Sequence, residues 1–177
     1  MDLKKYKGIH FEGGGFKTLY YLGVLESLIK RKRMPKYYSG TSYGTMYALI
    51  ALALSTYPKK KRQTLFYYFK DRLQSNLICE KNSIYKNLYL FKLFTPTIIS
   101  ICYDIQPDIK IYNDSLSINI THIVGWKLHR ATNWNNWKDL EIDLYACSYI
   151  PIIQNFKYAY DSKNNLSVDA GFMFRNV

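Results

Sequence analysis

"FEGGGFKTLYYLGVLESL", Phe11 to Leu28, sets three consecutive glycines directly before an apolar pattern at helical spacing. Glycine loses the most freedom on ordering, so three in a row before a helix mark backbone that must come close to something. The N–H groups at a helix start attract anions, so the partner is a phosphate or an oxyanion. The stretch before the glycines, "KGIHFEG", reads as a short strand. Thr18 to Arg33 reads as an amphipathic helix, with Leu22, Leu25 and Ile29 on one face beside Leu28, closed by "KRKR" (Lys30 to Arg33) and Pro35.

The same order returns in "KYYSGTSYGTMYALIALAL", Lys36 to Leu54. A brief strand before Ser39 meets a tight turn from Gly40 to Gly44, then a very apolar helix that Pro58 is expected to end. Lys59 to Leu77 is expected to be helical, with Leu65, Phe69 and Leu73 at i+4 spacing. Asn87 to Tyr103 is aromatic and apolar, is interrupted by Pro96, and reads as a lid, a surface helix or core. "SLSINITHIVGWKL" alternates as strands do, and "WKDLEIDLYACSYIP" reads as a helix closed by Pro151. "NFKYAYDSKNNLSVDAG" reads as a hairpin turning at "DSKNN". Strand–helix–strand–helix order argues for an α/β layered sheet, and 177 residues favour one domain.

Phosphate loops fit the glycines poorly. A nucleotide-binding G-x-x-x-x-G-K-[ST] loop needs Gly where Phe16 and Phe11 stand. A dinucleotide G-x-G-x-x-G loop fits Gly13 and Gly15 but meets Thr18 at its third glycine, with no acidic residue about 20 positions on. The oxyanion reading needs a nucleophile. Gly40-Thr41-Ser42-Tyr43-Gly44 is a G-x-S-x-G sequence between a strand-like and a helix-like segment, the context of a nucleophile elbow. The histidines, His10, His122 and His129, have no motif around them and read as structural or surface residues.

Taken together, "GGGFK…GVLESL", "GTSYG", "LYACSYIPII" and "VDAG" resemble, in order, the segments of the patatin-like phospholipase family. The resemblance runs from Gly8 to Gly171. It implies an α/β fold of three α/β/α layers with a central, mainly parallel sheet, over residues 1–177 as a minimal or C-terminally shortened domain. It implies a Ser–Asp dyad, with Ser42 as nucleophile and Asp169 as general base. The N–H groups of Gly13, Gly14 and Gly15 would form the oxyanion hole, with Lys17 adding charge. Gly40 and Gly44 would flank the elbow, and Ala170 and Gly171 would complete the Asp motif. No metal and no organic cofactor are implied. Thr18 and Ala170 stand where the family motifs carry glycine. The implied activity is hydrolysis of carboxylic esters of lipids, foremost phospholipids. Its rivals are a general esterase or thioesterase and a non-catalytic lipid-binding module on the same scaffold.

Charge adds a partner. The formal net charge is +12, and the basic residues cluster as Lys4, Lys5 and Lys7, as Lys30 to Arg33 with Lys36, and as Lys59 to Arg62. The plain reading is solvated helix C-termini. The functional reading is peripheral contact with an anionic membrane surface. No nucleic-acid-binding pattern is present, so no nucleic-acid partner is expected. The longest clean apolar run, "MYALIALAL" from Met46 to Leu54, falls far short of the roughly 20 residues of a membrane span. With no signal sequence at the start and three scattered cysteines, Cys79, Cys102 and Cys147, the expected setting is a reducing, intracellular and cytoplasmic one.

Overall fold

The computed structural model describes residues 7–14, 19–78, 84–150 and 159–172. The elements run β1 (Gly8–Phe11), α1 (Tyr21–Lys30), β2 (Tyr37–Thr41), α2 (Gly44–Ser55), α3 (Lys59–Ile78), α4 (Ile84–Ile105), β3 (Leu116–His122), β4 (Lys127–Ala131), α5 (Trp137–Cys147), β5 (Ala159–Tyr160) and β6 (Leu166–Asp169). The two strand–turn–helix units read from the sequence are β1–α1 and β2–α2. Gly15, Lys17, Thr18, Cys79 and Pro151 lie outside the described residues, as do Lys4 and Lys5.

Helix α2 is the centre of the core. Every residue from Gly44 to Leu54 is buried. It touches β1, β2, β3 and the four other helices, so it has no solvent face and needs no amphipathic pattern. It ends at Ser55, earlier than Pro58 would require. The Ser55 and Thr56 hydroxyls bond back to Leu52 O at 2.8 Å and Ala53 O at 2.7 Å, and Arg62 reaches Ser55 O at 2.6 Å and Tyr57 O at 2.7 Å. The last carbonyls are thus satisfied by side chains. Pro58 belongs to the next helix, its carbonyl accepting Lys61 N and Arg62 N.

Helix α4 runs straight through Pro96, contrary to the interruption expected there. A proline inside a helix costs about 3 kcal/mol. The burial of Phe94, Ile98, Ile101, Cys102 and Ile105 on one side of the helix offsets that cost, and from Phe94 onward the segment is core rather than a lid. Among the described residues, no helix is long and apolar enough to cross a membrane.

Among the described residues the sheet has six strands in the order β1-β2-β3-β6-β5, with β4 on the other edge of β3. It is a mixed sheet flanked by helices, the arrangement of the three-layer α/β/α patatin-like fold. Strands β1, β2 and β3 are parallel, and β4, β5 and β6 add antiparallel pairs. Paired residues share a face, so register sorts the side chains. Phe11, Gly40 and Ile118 lie on the face packed by α2. His10, Ser39 and Ser117 lie on the other.

Register also explains how distant segments meet. Strand β2 pairs with the first half of β3, ending at Thr41 opposite Asn119. Strand β6 pairs with the second half, ending at Asp169 opposite Ile120. Because β4 occupies the remaining edge of β3 at those positions, β2 and β6 share one edge and meet there end to end.

Candidate active site

Ser42 is the first residue past β2. Its φ is +53°, the left-handed region that costs a non-glycine residue roughly 1–2 kcal/mol. The strain persists because the surroundings hold it. A Cβ on Gly40 would stand 2.5 Å from Thr45 N, and one on Gly44 would stand 2.5 Å from Glu12 O. Only glycine permits β2, α2 and the end of β1 to approach this closely. Ser42 O accepts Thr45 N–H at 3.0 Å, and the buried Cys147 thiol lies 3.9 Å beneath the same carbonyl. The turn is tighter than the sequence suggested: Ser39 and Gly40 belong to the strand, and only Ser42 and Tyr43 separate it from the helix.

The glycine loop lies against the serine. A Cβ on Gly13 would meet Ser42 Cβ at 2.9 Å, and Gly14 takes a positive φ of 153°. The Tyr21 hydroxyl pins the loop's start by donating to Glu12 O at 3.1 Å, while the Tyr21 ring packs edge-on against Phe11. Gly13 is therefore at the site by geometry, with Gly14 next to it in the chain. Gly15 and Lys17 fall outside the described residues.

Asp169 comes from the far end of the chain. Its N–H donates to Tyr149 O at 2.9 Å, which ties the strand end to the "ACSYIP" segment after α5. The Ser42 hydroxyl donates to Asp169 Oδ2 in a short hydrogen bond, and Gly171 N–H donates to Oδ1 at 2.7 Å. Burial pushes the Asp169 carboxyl up to about 6, against the partial opposition of the Ser42 and Gly171 donors. Ala170 and Gly171 open a 3-10 turn, and neither takes a positive φ. Alanine at position 170 therefore carries no left-handed penalty.

The histidines lie elsewhere. His10 Nδ1 is 2.7 Å from Ser39 Oγ, and its Nε2 is 3.3 Å from Thr41 Oγ1, on the face of the sheet away from α2. His122 contacts Asp161 and stacks on His129. Among the described hydrogen bonds, none joins a histidine to Ser42. The sequence reading missed Tyr149 and Cys147 as supports of the site. Both lie in the "LYACSYIPII" segment, whose role only the contacts reveal.

The fold and this site define a class: an α/β protein with a serine on a strained strand-to-helix turn, backed by a glycine loop and a buried carboxylate. The model of the patatin-like phospholipase family matches residues 9–143, and the chain belongs to that family. Its members are generally hydrolases of lipid esters. Among curated proteins none matches the chain. The family match covers the glycine loop and the elbow and stops before Asp169.

Proposed function

We propose that this protein is a serine-dependent lipid acyl hydrolase that works through Ser42 and Asp169. The observation that carries the reading is the hydrogen bond from the Ser42 hydroxyl to the buried Asp169 carboxylate. Ser42 Oγ attacks the ester carbonyl, and its proton passes to Asp169. The negative charge that develops on the carbonyl oxygen is held by N–H groups of the Gly13–Gly15 loop and by the start of α2. The intermediate collapses, Asp169 returns the proton to the leaving alcohol, and the acyl group stays on Ser42. Water, deprotonated by Asp169, then releases the fatty acid. A carboxylate raised to about 6 is ionised near neutral pH yet basic enough to take the proton.

An anionic membrane surface is the proposed peripheral partner. Lys59 and Lys60 stand in the first turn of α3, where helix-dipole chemistry disfavours cations, so helix-end solvation does not account for them. The β3–β4 turn lies past Ser42 at the same end of the sheet and exposes Val124 at 79% and Trp126 at 56%, beside Lys127. Exposed Trp with adjacent Lys suits a lipid–water interface. A fluorophosphonate probe should label the wild type and leave Ser42→Ala unlabelled, with lipid-product analysis reporting fatty acid from phospholipid vesicles for the wild type alone. Labelling that survives the substitution would put the nucleophile elsewhere. A folded, unlabelled wild type would favour the non-catalytic lipid-binding module.

A further inference from the structure

A second cluster lies on the helix-packed face of the sheet, past the β3–β6 pairing. His122 is on β3, His129 on β4 and Asp161 in the β5–β6 turn, and one ligand atom from each falls within 4.8 Å of the others. His122 Nε2 is 2.8 Å from Asp161 Oδ2, and the two imidazoles stack with centroids 4.7 Å apart. Neither Ser42 nor the glycine loop touches this cluster in any described hydrogen bond.

Three features set it apart from an ordinary surface ion pair. First, Asp161 is oriented by its own turn: Lys163 N–H and Asn165 N–H donate to Oδ1 at 3.0 and 2.8 Å, and the Asn165 amide reaches both oxygens. Second, a second buried carboxylate, Asp143 on α5, stands beside it, bonded to Trp134 Nε1 at 2.7 Å and to Ser162 N–H at 2.7 Å. Both carboxylates are almost fully buried. Among the described residues their one ion-pair partner is His122. Third, among the described residues no hydrogen bond engages a ring nitrogen of His129, whose imidazole stacks on His122 with a ligand atom turned to the cluster. Buried carboxylates beside two imidazole rings offer the kinds of ligand atom that a cation takes.

We propose that His122, His129 and Asp161 form a binding site for a divalent transition-metal ion of the zinc class. Two imidazoles and one carboxylate select Zn²⁺, Co²⁺ or Ni²⁺ over Mg²⁺ and Ca²⁺, which prefer oxygen ligands. Tetrahedral coordination at about 2.0–2.1 Å needs ligand atoms roughly 3.3 Å apart. The ion takes the place of the proton between His122 Nε2 and Asp161 Oδ2, His122 then carrying its proton on Nδ1. The half-buried His129 closes the remaining gap by side-chain rotation, and water fills the fourth position. Asn165 and Lys163 hold the carboxylate as outer partners do in metal sites. The bound ion would staple the β3–β4 hairpin to the β5–β6 turn. This site stands whether or not Ser42 is a nucleophile.

Co²⁺ is the probe, because it reports coordination by its visible absorption. The full chain is expected to bind one equivalent with a tetrahedral-type spectrum, and Zn²⁺ should displace it and raise the thermal midpoint. His129→Ala should keep the fold and weaken Co²⁺ at least tenfold, with the Zn²⁺-induced rise lost. Asp161→Asn should do the same if it folds, while His10→Ala should leave affinity and spectrum unchanged. Absence of saturable Co²⁺ binding by the wild type overturns the proposal. So does affinity that survives His129→Ala, or that falls with His10→Ala instead.

Discussion

The two halves of the candidate active site are built in opposite ways. The serine half is local. Ser42 and Tyr43 form the turn, Gly40 and Gly44 on either side of it allow β2 and α2 to close, and the helix is buried from Gly44 to Leu54. The carboxylate half is non-local. Asp169 ends a four-residue strand that pairs with β3 at three positions and reaches Ser42 across 127 residues of sequence. Local packing makes the elbow hard to perturb without unfolding the protein. Sheet register makes the carboxylate easy to perturb while the fold survives. Five groups of experiments would break or sharpen that contrast.

The largest effect is expected from Gly44→Ala. The new methyl group would stand 2.5 Å from Glu12 O and closer still to Phe11 O, both backbone atoms that cannot swing aside. A loss of more than about 4 kcal/mol follows, enough to unfold a marginal domain. Circular dichroism of the purified variant checks it, and a cooperative native melt would mean that the elbow is looser than its contacts imply.

Next come the two reacting groups. Ser42→Ala and Asp169→Asn should each lower ester hydrolysis by three orders of magnitude or more. The double variant should be little worse, since members of one catalytic unit are non-additive. Both should melt cooperatively, unlike Gly44→Ala. Single changes at His10, His122 and His129 should leave most of the activity. A histidine change as damaging as Asp169→Asn, in a folded protein, would restore a Ser–His mechanism.

The pH dependence separates the carboxylate's chemical role from its structural one. Burial raises the folded carboxyl to about 6, from the 3.8 of a solvated aspartate, so the folded state binds the proton more tightly than the unfolded chain does. Stability therefore falls as pH rises from about 4 to about 6, by about 1.4 kcal/mol per unit at most, and this group adds no further change above that. Activity runs the other way, because the base must be ionised: kcat/KM should drop tenfold per unit below pH about 6. Urea midpoints of the wild type should lose ground to those of Asp169→Asn across that window. Parallel curves would remove the raised carboxyl from the account.

The smaller effects lie outside the core. Trp126→Ala and Lys127→Gln should weaken binding to anionic vesicles by about 1 kcal/mol each. Added salt should weaken the wild type, since exposed charges are screened beyond about 10 Å at 0.1 M. Hydrolysis of a short soluble ester should not change. Smallest of all, Ser42→Gly should relieve the positive φ and change stability by no more than about 1 kcal/mol while abolishing turnover. A clear loss of stability would mean that the serine side chain holds the turn rather than merely tolerating it.

Sequence alone determined the elements whose physics is local. The glycine loop, the Gly40–Gly44 turn, the buried helix after it and the "DSKNN" hairpin all show in residue type and period, because conformational freedom and hydrophobic spacing act over a few residues. The family resemblance then proposed Asp169 as the partner of Ser42. Three things were decided only by the tertiary structure. Pro96 stays inside a helix because burial on one side of α4 outweighs the local cost. Tyr149 and Cys147 support the site through a backbone carbonyl and a thiol, contacts that no motif encodes. His122, His129 and Asp161 come together from three separate strands and turns, where spacings of 7 and 32 residues carry no periodic signal. Sheet register sets which distant residues meet. It depends on the sum of many pairings along β3, which no single stretch of the chain contains.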